Sequence, residues 1–346
     1  MKRPLTQRAD LASANRAAKI LARSFLVVLV LLCSFLAANC QRKPADGTTP
    51  VSIRLKWLHQ AQFAGFYYAK EAGLYSQEGL EVTLLPGGVD YPAIQMVASR
   101  SDLFGVTGAD QILIAREKGI PVVAVACIFR KSPFVLFSLK DSGIGKVEDF
   151  LGRKIGVKLG GNEELTYRAM LRKTGISPSL LTEVPVKFDI SLLLTKQVDV
   201  WPGYSINEPI TAEEKGFPVN LIWPETYGVQ LYADVLFTTE EVLRTRPDLV
   251  AGVVQATVEG WNKSFADRDT AITYTLKYGE QLTREHERRM LDASYPLVVT
   301  GDQPIGSMEL SVWKGMHALL RDGGFLKGDV DLSVAFRVDF LPVSKK

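Results

Sequence analysis

Side chains able to do covalent or metal chemistry are few in this 346-residue chain: three cysteines and three histidines. Cys33 lies in an apolar run and Cys40 at its end, which leaves Cys127 as the single cysteine of the body. One cysteine cannot close an internal disulfide or build a thiolate cluster. Cys127 sits in PVVAVACIF, so it is expected to be a buried core residue. His59, His286 and His317 are far apart in sequence. The chain has no G-x-S-x-G elbow, no H-E-x-x-H and no C-x-x-C, and Ser142-Gly143-Ile144-Gly145-Lys146 lacks the spacing of a phosphate loop. No catalytic residue, metal site or cofactor is expected. The chemistry the pattern does support is capture. Small residues stand at four junctions, Gly87-Gly88-Val89-Asp90, Thr107-Gly108-Ala109-Asp110, Gly160-Gly161-Asn162-Glu163 and Pro202-Gly203-Tyr204. Singly they read as turns and caps. As a set they leave room for a ligand and expose backbone N–H groups.

The elements that must carry those junctions alternate. Strand candidates fall at 51–57, 80–85, 103–106, 122–128, 134–139, 154–157, 183–186, 198–201, 219–222 and 235–238. Helical patterns lie between them at 64–76, 91–99, 109–118 and 163–173. Such alternation predicts an α/β protein with mostly parallel sheets flanked by helices. From residue 239 the pattern turns helical, at 240–245, 248–266, 268–278, 284–294 and 307–322. Asp248 is expected to open the longest of these helices, and Gly119, Gly175 and Gly216 to close the ones they follow. In open α/β sheets, ligands bind beyond the carboxyl ends of strands, which is where the small-residue junctions fall.

Composition bounds the class. Hydrophobic residues make up 47% and charged residues 23%, as in an ordinary globular protein, and 346 residues allow two compact units. The net charge is +3, and the excess is concentrated in Lys2, Arg3, Arg8, Arg16, Lys19 and Arg23, so no basic footprint for nucleic acid is left in the body. After that basic stretch comes FLVVLVLLCSFLAA, then Asn39 and Cys40. A membrane-spanning helix needs roughly 20 apolar residues, so this shorter run reads as an export signal. Ala37 and Ala38 before Cys40 point to a lipoprotein-type signal over 1–40 with acylation at Cys40, although Asn39 departs from the usual small residue. The polar segment 41–50 would be a tether.

Several blocks carry a family resemblance. The run from Trp57 to Tyr75 (WLHQAQFAGFYYAKEAGLY) followed by EGLEV at 78–82, VTGAD at 106–110, QVDVWPGY at 197–204, NEP at 207–209, YGV at 227–229 and YAD at 232–234 resembles the thiamine pyrimidine precursor-binding (NMT1-type) family. That family includes solute-binding lipoproteins of ABC importers and fungal enzymes that make the thiamine pyrimidine. The resemblance covers most of the body. It implies a two-lobed periplasmic-binding-protein type II fold with two hinge crossings, near 128–133 and 224–231. Lobe 1 would then be 51–129 plus 232–346 and lobe 2 130–231. It further implies a monomer that captures a small molecule, docks on an importer permease in the cytoplasmic membrane and is held there by its lipid.

A flat heteroaromatic ligand, a thiamine pyrimidine precursor or a riboflavin-like flavin, needs stacking faces and a few directional polar groups. Candidates from lobe 1 are Trp57, Gln62, Phe63, Phe66 and Tyr232, with His59 beside them. Lobe 2 offers Asn162, Glu163, Asp189, Trp201, Tyr204, Asn207 and Glu208. A Glu208 carboxylate facing the cleft would suit amino or ring N–H donors, whereas an anion such as nitrate or a sulfonate would want Arg130 and Lys131. A pyrimidine synthase is the catalytic alternative. The fungal enzymes carry a cysteine-rich motif that this chain lacks, though His59 falls in the relevant block. A sensory ectodomain is a third reading, and no second long apolar stretch supports it.

Overall fold

The computed structural model describes residues 47–342; the signal, Cys40 and most of the tether lie outside the described residues. Among the described residues, ten strands form two five-stranded sheets. The first has the order β2-β1-β3-β10-β4 and the second β7-β6-β8-β5-β9. The strands are β1 Thr49–Arg54, β2 Leu80–Leu85, β3 Phe104–Thr107, β4 Val122–Phe129, β5 Phe134–Leu139, β6 Lys154–Val157, β7 Thr182–Pro185, β8 Val200–Tyr204, β9 Val219–Ile222 and β10 Ala233–Thr239. The chain leaves the first sheet between Phe129 and Phe134 and returns between Ile222 and Ala233.

Apolar patterning explains the placement. All eight residues of β4 (VVAVACIF) and all six of β5 (FVLFSL) are buried, as covered strands require. Edge strand β2 instead alternates, with Leu80, Val82 and Leu84 inward and Glu81 and Thr83 outward. Cys127 lies in β4, fully buried. The expectation of mostly parallel sheets needs refinement, because each sheet is mixed. β1 pairs parallel with β2 and β3, and β6 with β7 and β8. β10 runs antiparallel between β3 and β4, and β5 between β8 and β9. The antiparallel members β10 and β5 are the strands by which the chain enters each sheet from the other one.

Helix ends follow local rules, with shifts of a few residues. The helix expected over 64–76 is two pieces, Ala64–Glu71 and Leu74–Gln77, because Gly73 takes a left-handed φ of 73° between them. Gly119, Gly175 and Gly216 end their helices with φ of 78°, 71° and 85°. The long helix is Pro247–Ala266: Pro247 occupies its first turn and Asp248 follows, complementing the dipole without capping it. That helix crosses Ala64–Glu71 with almost no gap. A Cβ on Gly65 would lie 2.2 Å from Trp261 Cγ, and one on Gly260 would lie 2.2 Å from the Gly65 carbonyl oxygen. Trp261, fully buried, meets Phe66 and Phe129 edge-on at 6.4 and 6.1 Å between ring centroids. Among the described residues no helix is long and apolar enough to cross a membrane.

The glycine contact gives a sharp expectation for stability. Gly65→Ala should lower the unfolding free energy by about 1–3 kcal/mol through overpacking against Trp261. Gly73→Ala, where a Cβ meets open space, should cost only about 1 kcal/mol of backbone strain. Urea unfolding of both variants checks the order; equal losses would remove the helix crossing as the tighter constraint.

Candidate functional site

The carboxyl ends of β1, β3, β6 and β8, with loops after β2 and β7, converge on one cleft of about 570 Å³, within the range of about 300–1,000 Å³ usual for small-molecule sites. The first sheet contributes Lys56, Trp57, Gln60, Gln62 and Thr107, and the second contributes Lys158, the Gly160–Glu163 turn, Phe188, Tyr204, Asn207 and Glu208.

Its floor is a largely buried lysine, its side chain 18% exposed. The Lys56 Nζ donates to the Tyr204 hydroxyl from the other sheet and lies 3.4 Å from Asp234 Oδ1. Gln62 Nε2 donates to Asp234 Oδ2 at 2.6 Å, and Gln62 Oε1 accepts from Gln60 Nε2 at 2.6 Å. Burial works against both charges. It pushes Asp234 above the ordinary carboxylate range, with Lys56 and Gln62 opposing. For Lys56 burial is outweighed by Tyr204 and Asp234, so the ammonium is held above its usual value. Burial also pushes the Tyr204 hydroxyl up to about 12. Asp234 adopts φ of 51° at the start of β10, a left-handed conformation that Asp and Asn tolerate better than other side chains. Strain of that kind collects where structure fixes a functional group.

The opposite wall holds a second matched pair. Lys158 Nζ donates to Glu208 Oε1 at 2.8 Å, and the Tyr204 backbone N–H donates to Glu208 Oε2 at 2.8 Å. Gly203 leaves space for this carboxylate, since a Cβ there would lie 3.0 Å from Glu208 Cδ. Glu208 lines the cleft as expected, with both of its oxygens already engaged. Glu163 also lines the cleft and enters no ion pair among the described residues. At the mouth, Trp57 and Phe188 meet from opposite sheets, ring centroids 4.5 Å apart and tilted by 55°.

Of the residues singled out from sequence, Trp57, Gln62, Asn162, Glu163, Tyr204, Asn207 and Glu208 come together on this cleft. Five lie elsewhere. Phe63 and Phe66 are fully buried in the core, because their helical face turns toward the Pro247–Ala266 helix. Trp201 is buried among Val135, Phe137 and Ala212, on the face of β8 opposite Val200, as the two-residue period of a strand requires. Tyr232 packs edge-on against Trp313, and its hydroxyl accepts from the Glu309 N–H at 3.1 Å. Asp189 is exposed and held below the usual carboxylate range by hydrogen bonds from the Ser191 hydroxyl and N–H. His59 lies outside the lining beside Tyr67, with ring Nδ1 and the phenol oxygen 3.1 Å apart; burial, then Lys70, lowers its pKa. Arg130 pairs with Glu309 and Lys131 with Glu225, so neither supplies the cleft with a cation. Sequence reasoning missed Lys56, Lys158, Asp234 and Phe188. Lys56 could have been found as the residue just before Trp57 at a strand end. Phe188, next to Asp189, has no periodic signal.

A family model described as NMT1/THI5 like matches residues 60–271. The chain belongs to this NMT1/THI5-like family. It is 25% identical to the riboflavin-binding protein RibY of Chloroflexus aurantiacus over 92% of this chain and 95% of that one. It is 23% identical to the formylaminopyrimidine-binding protein of Halalkalibacterium halodurans over 91% of this chain and 98% of that one. A 4-amino-5-hydroxymethyl-2-methylpyrimidine phosphate synthase of Legionella pneumophila is 23% identical over 61% of this chain and 67% of its own length. Among solved structures, the periplasmic aliphatic sulphonate binding protein SsuA of Escherichia coli superposes with a TM-score of 0.69 at 16% identity, covering 87% of this chain and 96% of that one. The α/β fold, two mixed sheets flanked by helices, is thus that of the periplasmic binding proteins.

Removing the charge under Lys56 tests the floor. Breaking one partner of a buried pair costs about 3–5 kcal/mol. Asp234→Ala should fall in that range, and Asp234→Asn, which keeps the left-handed preference, should lose less. A denaturant midpoint unchanged in both variants would show that Asp234 does not hold the ammonium.

Proposed function

We propose that this chain is the exported solute-binding component of an ABC importer, and that its cleft captures a flat heteroaromatic solute of the flavin or aminopyrimidine class. The carrying observation is the cleft itself. It is built from strand ends of both sheets, carries an aromatic ring from each at its mouth, and matches two of its lining cations, Lys56 and Lys158, with carboxylates while Lys118 and Glu163 balance in charge. Such a site offers stacking faces and directional polar groups without net positive charge, which suits a neutral ring better than nitrate or a sulfonate. Two full-length relatives named for binding riboflavin and a formylaminopyrimidine support the ligand class.

Within this reading, the sheets are two lobes hinged where the chain crosses between them, near 130–133 and 223–232. Closure is driven by ligand contacts that exist only when both lobes engage. The Lys56–Tyr204 bond spans the lobes already, so a ligand would complete a contact set partly in place. Asn162, Glu163 and Asn207 supply polar groups from lobe 2, and Trp57 and Phe188 supply the stacking faces. Binding without chemistry is favoured over synthase activity because the single body cysteine is buried in β4 and its thiol is pushed up by burial. His59, the histidine of the relevant block, lies off the cleft. Export and acylation at Cys40 would tether the protein, as a monomer, beside its permease on the outer face of the cytoplasmic membrane.

A thermal-shift panel of riboflavin, aminopyrimidines, taurine and nitrate on the full chain tests the ligand class. A solute at 100 times its dissociation constant should stabilise by about 2.7 kcal/mol. The expected result is a rise in melting temperature with a flavin or pyrimidine; a rise with the anions alone overturns the heteroaromatic reading. Trp57→Ala should weaken the binding so found by about tenfold, the scale of one lost aromatic contact, read by calorimetry on folded protein. Cys40→Ser should abolish incorporation of radiolabelled palmitate in the producing cell, and persistent labelling would move the anchor elsewhere.

A further inference from the structure

Asn207 stands at the position preceding the Glu208–Glu214 helix, where an asparagine ordinarily caps the helix with its side chain. Here it makes no such bond. Its Oδ1 instead lies 3.3 Å from Nε2 of His286, on the Arg284–Val298 helix that packs on the first sheet. The other ring nitrogen, Nδ1, lies 2.9 Å from Glu214 Oε2. Both partners are oxygens, and an oxygen of a carboxylate or an amide carbonyl can only accept. An imidazole satisfies two acceptors only when both nitrogens carry protons.

From this geometry we propose that His286 is a positioning residue whose protonation decides which end of the Asn207 amide faces the cleft. When His286 is cationic, Nε2–H donates to Oδ1 and Asn207 presents its NH2 donors to the ligand. When His286 is neutral, its one proton stays on Nδ1, because Glu214 cannot donate. The Nε2 lone pair then needs a donor, so the amide turns over, gives its N–H to His286 and presents Oδ1 to the cleft. A proton gained outside the cleft thereby exchanges a donor for an acceptor inside it. Charged groups stand near His286 on its own helix and on the Glu208–Glu214 helix. From the second sheet come Glu214 and Glu213, the first also 3.4 Å from Arg289 Nη1 and the second 2.5 Å from Arg289 Nη2. Arg289 and buried Glu287 flank it on its own helix, and the Lys158–Glu208 pair stands at the start of the facing one. The His286 side chain remains 19% exposed, which leaves solvent protons access to the ring. Protonation of an imidazole is favoured as the pH falls, so the donor form of Asn207 is the low-pH form.

The relevance to transport rests on the proposed cleft function, and the test separates the two. In the full chain labelled with ¹⁵N, the Asn207 side-chain amide, identified by its loss in Asn207→Ala, should shift between pH 8 and 5.5 together with the His286 ring nitrogens. In His286→Gln that movement should vanish. This readout needs no ligand; an Asn207 signal that ignores the titration of His286 overturns the proposal whether or not the cleft binds anything. With riboflavin as probe, followed by its own fluorescence, the dissociation constant should change about three- to tenfold across the same range, the worth of one hydrogen bond. It should become flat in His286→Gln. Riboflavin bound with the same pH profile in both proteins overturns the proposal. Absence of riboflavin binding at every pH counts against the flavin ligand and leaves the decision to the amide signal.

Discussion

An ammonium drawn mostly out of water needs its charge answered on the spot, and Lys56 shows how far that requirement reaches. Its charge is met by Asp234 from the first sheet and by the Tyr204 hydroxyl from the second. Asp234 meets it from a left-handed backbone at the start of β10, and its other oxygen is held by Gln62, itself held by Gln60. The return of the chain into the first sheet, the loop after β1 and the end of β8 are thus tied to one nitrogen atom. Desolvation makes this arrangement intolerant: leaving out any partner strands a charge or a polar group away from water.

The same logic shapes the opposite wall, where Glu208 is matched by Lys158 and by a backbone N–H. With Lys56 and Lys158 each matched by a carboxylate, the cleft presents aromatic faces, neutral amides and the Glu163 carboxylate at its surface. Selectivity in such a site comes from shape, stacking and the orientation of a few hydrogen-bonding groups. Relatives in this family carry names for flavin and pyrimidine binding as well as for pyrimidine synthesis, so the scaffold itself does not decide between capture and chemistry. The side chains placed on it do.

Packing behind the site is less forgiving still. Gly65 and Gly260 let two helices touch over Trp261, and Phe66 and Phe129 close around that ring. Aromatic residues that the sequence offered as ligand-stacking faces are consumed in this core. The loop that begins the cleft is anchored to the same region, since the Ala61 N–H donates at 2.5 Å to Glu287, a carboxylate buried on the Arg284–Val298 helix that also carries His286. Core and cleft therefore share elements.

Local sequence determined the strands, the helices and most of their ends, because two- and 3.6-residue periods and left-handed glycines are properties of neighbouring residues. It also marked the junctions at strand ends where a cleft would open, and through them Asn162, Glu163 and Tyr204, while the blocks that carry the family resemblance supplied Trp57, Gln62, Asn207 and Glu208. What it could not determine was which aromatic faces point inward. Phe66 and Trp201 have the right chemistry at nearly the right positions, and a single step around a helix or along a strand turns each into the core. Nor could it reveal the partners of charge. Lys56 meets Asp234 across 178 positions of sequence and His286 meets Asn207 across 79, and pairings over such distances exist only once both sheets have folded and brought their strand ends together.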